Sequence, residues 1–183
     1  MPNEPEDPLY EPTVDRQWVY QGGFLWIEKL AVRLPDGRIA LREVAHTRDS
    51  VAVIPIDAQG NVHLIRQFRV AIDRVIHEIP AGLVDEGEDL ETAAVRECEE
   101  EIGVRPSKLT KLTTFAHSEG FATGMMTVYL GQELEVHGKQ KLDNTEFIEP
   151  VTMPLTELKQ RIDREEIIDT KTILGVLLSE KYV

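Results

Sequence analysis

Three glutamates near the middle of the chain have the residue type and the spacing to bind a metal ion. Glu97, Glu100 and Glu101 stand at positions i, i+3 and i+4 of a segment with helical periodicity, so their carboxylates share one helical face. Like charges at these spacings repel, and the dipole at the end of a helix adds to the cost. A divalent cation such as Mg²⁺ reverses that cost because it prefers oxygen ligands. The alternative is a solvated acidic face of a surface helix.

The residues around these glutamates follow a pattern that a solvated face does not explain. Seven positions have the spacing of G-x5-E-x7-R-E-U-x-E-E-x-G-U, where U is aliphatic: Gly82, Glu88, Arg96, Glu97, Glu100, Glu101 and Gly103. The first U position departs from the pattern, since Cys98 replaces an aliphatic residue, but cysteine is itself a small hydrophobe that is often buried. The window resembles the Nudix box, the signature of the Nudix hydrolase superfamily.

Segments outside the box resemble one branch of this superfamily, the ADP-ribose pyrophosphatases and nucleoside diphosphate sugar hydrolases. Residues 64–69 and 78–82 resemble the branch on the N-terminal side of the box, and residues 146–149 and 167–172 do so on the C-terminal side. The resemblance implies the Nudix fold, an α+β architecture with a mixed β-sheet sandwiched between helices. It also implies an N-terminal antiparallel β unit that is exchanged in a domain-swapped homodimer.

The resemblance assigns metal ligands within the box. In the superfamily the glutamates that match Glu97, Glu100 and Glu101 ligate Mg²⁺, for which Mn²⁺ is a substitute, and the backbone carbonyl at the position of Ala81 often joins them. Glu100 and Glu101 are therefore also predicted to be catalytic. The implied reaction is hydrolysis of a pyrophosphate bond, assisted by a metal that neutralises charge and lowers the pKa of a bound water.

Two further residues complete the predicted catalytic group. Arg96 is implied to form an ion pair with Glu88 that orients the loop and the helix of the box. Glu146 has the best-matched position for the carboxylate that accepts the proton of the attacking water, because in this branch that residue often comes from a mobile loop after the box. Glu149 and Glu78 remain alternatives for this base.

Substrate contacts are implied by position within the branch. Arg42, Glu43 and Arg69 match positions that contact the substrate, and an arginine suits a diphosphate because its guanidinium binds anionic oxygens in a bidentate way. An aromatic side chain of the N-terminal unit usually stacks on the base. The candidates for this stacking are Tyr20, Phe24 and Trp26. Each of the three is, taken singly, better interpreted as a core residue.

The predicted function is Mg-dependent hydrolysis of nucleoside diphosphate sugars, including ADP-ribose, to a nucleoside monophosphate and a sugar phosphate. A strict ADP-ribose pyrophosphatase is the first alternative. It is disfavoured because Ser118-Glu119-Gly120 stands where ADP-ribose hydrolases usually carry Ser-Pro-Gly. A non-catalytic nucleotide-sugar sensor is the second alternative, and it fits poorly with a box that keeps every charged position.

Hydrophobic patterning predicts the elements that must position these residues. Strands are expected at 24–32, 38–44, 50–56, 62–70, 75–79, 111–115, 125–133 and 150–153, and helices at 89–102, 156–163 and 170–181. In the first helix, Leu90, Ala94, Cys98 and Ile102 recur every four residues as a buried stripe, and Gly103 ends it. These elements predict a mobile acidic tail at 1–16, a β dimerisation unit at 17–46 and a hydrolase domain at 47–183.

The bulk composition excludes several partners. The chain has 183 residues, 33 acidic against 20 basic side chains and a formal net charge of −13. Clustered lysine and arginine are needed to bind a nucleic-acid backbone or an anionic membrane, so neither partner is expected. A single cysteine, Cys98, and the lack of an apolar leader fit a cytoplasmic protein.

Overall fold

The computed structural model of the chain describes residues 7–142 and 144–183, which form two units. The first unit runs up to Arg48 and also includes Ala116–Met125. The second unit comprises Asp49–Phe115 and Met126–Val183 and contains the whole of the box. The start of the predicted acidic tail, residues 1–6, lies outside the described residues.

The first unit contains a three-stranded antiparallel sheet in the order β1-β2-β3. Its strands are β1 (Thr13–Gln21), β2 (Trp26–Arg33) and β3 (Ile39–His46). The pair β2-β3 was predicted, and Gly37 at a φ of 88° lies in the turn between them, where a glycine is favoured. Strand β1 was not predicted in full. It begins inside the predicted tail and exposes every residue, so it has no alternation of buried and exposed positions.

The segment Ala116–Met125 pairs with the end of β3 in the first unit. Ala45 donates its N–H to the carbonyl of Phe121 at 2.7 Å, and Thr123 donates to the carbonyl of Ala45 at 3.0 Å. This segment carries Ser118-Glu119-Gly120, whose departure from the family pattern bears on substrate choice. No pattern in the sequence indicates that these residues join the N-terminal strands.

The second unit contains two sheets and three α-helices. The four-stranded sheet has the order β7-β4-β9-β8, with β4 and β9 parallel, and the three-stranded sheet has the order β10-β5-β6. The strands are β4 (Ser50–Pro55), β5 (Asn61–Arg69), β6 (Arg74–Glu78), β7 (Ala81–Leu83), β8 (Val104–Ala116), β9 (Met125–Val136) and β10 (Ile148–Pro154). The helices are α1 (Leu90–Ile102), α2 (Leu155–Asp163) and α3 (Thr170–Ser179), with a 3₁₀ turn at Val70–Ile72. This arrangement confirms the α+β prediction.

The central strand β4 explains why helices lie on both faces of the four-stranded sheet. Its side chains alternate between two apolar clusters, as the twofold period of a strand requires. Val51 and Val53 pack with residues of α1, whereas Ala52 and Ile54 pack in the cluster that includes Val176 of α3. Every residue of β4 is buried, so the strand fixes the helix of the box at one face and α3 at the other.

Helix α1 has the predicted limits and a broader buried face than predicted. The Asp89 side chain caps it by accepting from the N–H groups of Glu91 and Thr92, and Gly103 ends it in the left-handed conformation at a φ of 66°. Within the predicted stripe, Ala94 and Cys98 are fully buried and the two terminal members are partly buried. A second buried row consists of Ala93, Glu97 and Glu101. Two of the predicted metal ligands therefore point inward.

Among the described residues, the helices are too short or too polar for any of them to cross a bilayer.

Candidate active site

The candidate site forms where strand β7 meets the inner face of α1. Ala81 donates its backbone N–H to Oε2 of Glu101 at 3.0 Å. Gly82 lies directly against the carboxylate of Glu97, so closely that a Cβ atom at this position would overlap it. The backbone of strand β7 thus contacts the two buried glutamates directly, with no side chain between them. The absence of a side chain at Gly82 is a steric requirement of this contact.

The two buried glutamates lie in an environment that opposes their ionisation. Glu97 is 8% exposed and Glu101 is 5% exposed. Burial raises the pKa of Glu101 to about 8, against the hydrogen bond from Ala81, and the charges of Glu97 and Glu146 raise it further. Burial also raises the pKa of Glu97, against the opposing charge of Arg96. A bound cation would offset this unfavourable burial of negative charge.

Arg96 connects the glutamates to the loop of the box. Its Nε and Nη2 donate to the two carboxylate oxygens of Glu88, each at 2.9 Å, and Nη2 also donates to the carbonyl of Leu83 at 3.0 Å. Its Nη1 donates to Glu97 at 2.6 Å and to Glu100 at 3.1 Å. The implied ion pair with Glu88 is confirmed. The arginine additionally holds two of the predicted metal ligands, which the sequence did not indicate.

The donor set fits a divalent cation in its chemistry. Three carboxylates and a backbone carbonyl are hard oxygen donors of the kind that Mg²⁺ and Mn²⁺ take. In the part of the chain that the structure describes, no three acidic, histidine or cysteine groups already converge as a complete metal cage. Glu97 and Glu100 turn toward Arg96 instead.

The loop that carries Glu146 is anchored to the C-terminal end of α1. Lys141 donates its N–H to the carbonyl of Glu100 at 2.9 Å, and the Gln140 side chain donates to the carbonyl of Glu101 at 2.6 Å. Glu146 lines a groove of about 450 Å³ beside the end of β5. Its charge acts on both buried glutamates of α1, which indicates that it lies near them.

The two alternatives for the base have different surroundings. Glu78 is 1% exposed and receives both a bidentate pair from Arg69, at 2.6 and 2.8 Å, and a hydrogen bond from Lys171. Burial raises the pKa of Glu78, but these two cations outweigh it and lower the pKa below its usual value, which makes Glu78 a poor proton acceptor. Glu149 is exposed and accepts from Arg66 at 2.6 Å.

Arg69 has the position predicted for a substrate contact, at the end of β5, but most of its guanidinium is committed to Glu78. Its side chain is 42% exposed, so the ion pair with Glu78 does not bury Arg69.

The other predicted substrate residues belong to the first unit. Arg42 binds both carboxylate oxygens of Glu11, at 3.0 and 2.9 Å, and Glu43 is exposed on β3. The interpretation of the aromatic residues as core is wrong for Tyr20 and Phe24, which are 55% and 61% exposed. They lie on or beside an edge strand whose residues are all exposed, so no layer of this unit covers them.

Comparison with known proteins shows which family the chain belongs to. A family model described as the NUDIX domain matches residues 46–171. The chain belongs to the Nudix family. The ADP-ribose pyrophosphatase of Bacillus subtilis (strain 168) is 36% identical to it over 169 residues, which cover 92% of this chain and 91% of that protein. The methanol dehydrogenase activator of Bacillus methanolicus is 32% identical over 167 residues, 91% of this chain and 90% of that protein.

A solved structure shows the same fold. The crystal structure of an ADP compounds hydrolase matches with a TM-score of 0.84 at 21% identity, over 94% of this chain and 93% of that chain. The predicted Nudix fold is confirmed by this likeness.

Residues outside the Nudix box also reach the site, and sequence reasoning missed their contacts. At the start of α3, Lys171 donates to Glu78, and the Thr172 hydroxyl accepts from the N–H of Ile79, shortly before the strand that enters the box. Asp169 accepts a hydrogen bond from Lys171. The signal was present, because residues 167–172 match the branch. A sequence match alone, however, gives no partner for a residue more than 90 positions away.

Gly82→Ala tests whether the close approach of the Nudix box glycine to Glu97 matters for activity. The added methyl group would overlap the Glu97 carboxylate, which is the mobile end of a side chain, so we expect it to move and the fold to remain. A displacement of about 1 Å at a reacting centre costs about 10²-fold in rate, and we expect a loss of kcat of this order. The matched control is Gly23→Ala, where no atom lies within 4 Å of the new methyl group. Wild-type kcat in Gly82→Ala would show that Glu97 tolerates the shift.

Proposed function

We propose that the protein hydrolyses the pyrophosphate bond of nucleoside diphosphate sugars, including ADP-ribose, to a nucleoside monophosphate and a sugar phosphate. The observation that carries this proposal is the buried pair Glu97 and Glu101 against Ala81 and Gly82, within a Nudix domain that covers most of the chain. The similarity to a relative named ADP-ribose pyrophosphatase, over 92% of the chain, supports the substrate class.

In this proposal Glu97, Glu100, Glu101 and the carbonyl of Ala81 hold Mg²⁺, with Mn²⁺ as a substitute. When bound, the metal would neutralise charge on the diphosphate and lower the pKa of the attacking water. The chain's own residues prepare this site. Arg96 holds Glu97 and Glu100 before binding, and its bidentate pair with Glu88 keeps the box loop against the helix.

The remaining steps involve residues outside α1. Glu146 accepts the proton of the attacking water. This role is supported by the effect of its charge on the pKa values of Glu97 and Glu101, and by its place in the lining of a groove. Arg69 orients a phosphate through the guanidinium N–H groups that Glu78 does not occupy. Arg42, Glu43, Tyr20 and Phe24 would contact the nucleoside or the sugar.

The substrate range is proposed to be broader than ADP-ribose. Glu119 replaces the proline of the usual Ser-Pro-Gly, and its segment pairs with β3 of the first unit, which also carries Arg42 and Glu43. The segment that carries Glu119 is therefore hydrogen-bonded to the strand that carries two proposed substrate contacts. This is the reason to expect a shifted or relaxed choice of base and sugar.

The test is a turnover comparison with purified protein, Mg²⁺ and a panel of ADP-ribose, ADP-glucose, GDP-mannose and UDP-glucose. We expect a nucleoside monophosphate from more than one member of the panel. Release from ADP-ribose alone would support the strict pyrophosphatase instead. Binding without release of monophosphate from any member would support the non-catalytic sensor.

We also propose a domain-swapped homodimer formed through the N-terminal strands. The first unit exposes many large apolar side chains: Leu9, Val14, Trp18, Val19, Tyr20, Phe24, Ile39, Leu41 and Phe121. Exposed apolar patches and open strand edges of this kind are typical of interfaces. A second copy of the chain is the partner that the family resemblance implies.

Light scattering coupled to size-exclusion chromatography tests the dimer. We expect the mass of a dimer for the wild type and of a monomer for the double variant Val19→Lys, Leu41→Lys, because both side chains are more than half exposed on this sheet. Leu177→Lys, on the exposed face of α3, is the control and should leave the mass unchanged. A monomeric wild type would refute the proposal. The cytoplasmic location and the absence of nucleic-acid and membrane partners stay predictions.

A further inference from the structure

Lys171 is a buried cation at an unfavourable place in its helix. It belongs to the first turn of α3 and is 8% exposed. A positive charge near a helix N-terminus opposes the helix dipole, and a buried ammonium group is costly unless it is paired. Neither local helix stability nor burial of apolar surface explains a lysine at this position.

The partners of Lys171 connect α3 to the end of β6. Its Nζ donates to Oε2 of Glu78 and, at 2.8 Å, to Oδ1 of Asp169. Asp169 is also the N-cap of α3, since its other oxygen accepts from the N–H of Thr172 at 3.0 Å. The hydroxyl of Thr172 in turn accepts from the N–H of Ile79 at 2.9 Å. The start of α3 therefore holds two consecutive residues, Glu78 and Ile79.

The residues that follow are held in the same continuous way. The carbonyl of Pro80 accepts from the N–H of Val53 on the buried strand β4 at 2.9 Å, and the N–H of Ala81 binds Glu101. Each residue from Glu78 to Ala81 thus has a hydrogen bond to another element of the second unit: the first two to α3, Pro80 to β4 and Ala81 to α1. The carbonyl of Ala81 and the carboxylate of Glu101 are the groups whose relative position this segment sets.

We propose that Lys171 is a positioning residue for hydrolysis, which fixes the segment from Glu78 to Ala81 so that the Ala81 carbonyl and Glu101 are placed to hold the metal. This inference rests on the proposed function. Lys171 touches neither substrate nor metal in this proposal and acts through Glu78. Glu78 also accepts two hydrogen bonds from Arg69, so the same restraint holds Arg69, the proposed phosphate contact.

The competing explanation is that the buried ion pairs only stabilise the fold. Buried ion pairs are weak evidence for stability, because an apolar replacement is often neutral. The two explanations therefore differ in what they predict for a variant that still folds. A structural role changes the thermal midpoint alone, whereas a positioning role changes kcat and metal affinity in folded protein.

The first variant is Lys171→Met, with Lys159→Met as the matched control on the surface of α2, where the lysine pairs with Glu180. We expect Lys171→Met to lower kcat about 10- to 100-fold, as for other residues that orient metal ligands, and to weaken Mn²⁺ binding measured by calorimetry without substrate by about tenfold. Folding is checked by circular dichroism at the assay temperature. Unchanged kcat and Mn²⁺ affinity in the folded variant would overturn the proposal.

Asp169→Asn decides the question if Lys171→Met does not fold. Asparagine is as good an N-cap as aspartate, so the helix start is kept while the charge that holds Lys171 is removed. We expect a several-fold loss of kcat and of Mn²⁺ affinity, and no loss would contradict the proposal. The Mn²⁺ titration also separates the two hypotheses. Wild type that binds Mn²⁺ but hydrolyses no nucleotide sugar would refute the proposed function, while the effect of the variants on Mn²⁺ binding would still test the positioning role.

Discussion

Glu101→Gln is expected to remove hydrolysis and, at the same time, to stabilise the protein from which metal has been removed. Glutamine keeps the size of the side chain and its acceptor for the N–H of Ala81, but it lacks the charge that a divalent cation requires. Changes in residues that merely orient metal ligands cost about 10- to 100-fold, so the loss of a ligand should exceed about 10²-fold in kcat. The fold has no reason to fail, because the buried site prefers a neutral group.

The stability change has a defined sign and pH range. Burial raises the pKa of Glu101 to about 8 in the folded protein, above its ordinary value of 4.5. Since the folded state holds the proton more tightly than the unfolded state, the contribution of this group to stability is fully present below about pH 4.5 and is lost as the pH rises toward 8. Between pH 4.5 and 7 the loss amounts to about 3 kcal/mol. Glutamine does not titrate and avoids this loss.

Thermal unfolding in the presence of a chelator measures this effect. The midpoint of Glu101→Gln should exceed that of the wild type at pH 8, and the two should converge near pH 4.5. Glu91→Gln is the matched control, because Glu91 is an exposed carboxylate on the same helix. It should keep the wild-type kcat and pH profile. A Glu101→Gln variant with wild-type kcat would refute the assignment of this residue as a metal ligand.

The helices of the second unit were predictable because they carry strong local signals, whereas strand β7 was not predicted and β8 begins seven residues before the range expected for it. The N-cap Asp89, the period of the apolar residues and the stop at Gly103 define α1 without any tertiary information, and the structure confirms its limits. The same applies to α2 and α3, which begin and end within two residues of the predicted ranges. Where the buried face is apolar, its pattern in the sequence and its burial in the structure agree.

Prediction failed where the stabilising contacts are not local or not apolar. Strand β1 exposes all its residues, so it has no alternating pattern, and its assignment depends on pairing with β2. The segment Ala116–Met125 joins the first unit through backbone hydrogen bonds to Ala45, which any sequence could make. A backbone contact between residues so far apart leaves no mark in side-chain composition.

In the candidate site, too, the local spacing of residues was predictable from the sequence, whereas their burial and tertiary contacts were not. The spacing of the box places Glu97, Glu100 and Glu101 on one helical face, but it does not show that Arg96 binds two of them or that Glu97 and Glu101 are buried. These features depend on Ala81 and Gly82 of strand β7, which packs against α1 only in the folded unit. The pKa of Glu101 follows from that burial and could not be derived from the sequence.

Glu146→Gln is expected to lower kcat by about 10²- to 10⁴-fold, the usual contribution of a general base, while Mn²⁺ binding stays within a few-fold of the wild type. We propose Glu146 rather than the two alternatives because of where the three carboxylates lie. Glu78 has its carboxylate bound by Arg69 and Lys171, and Glu149 accepts from Arg66 on the neighbouring strand β5. Glu146 instead lies in the loop anchored to the C-terminal end of α1, near Glu97 and Glu101.

Measurement of kcat against pH distinguishes a base from a residue that only shapes the loop. A base must be deprotonated to act, so the wild-type rate should fall on the acidic side of the profile, and Glu146→Gln should lose that dependence along with the rate. Glu149→Gln is the matched control from the same groove and should retain both, because its carboxylate already serves as partner to Arg66. If Glu149→Gln loses activity and Glu146→Gln retains it, the base is Glu149.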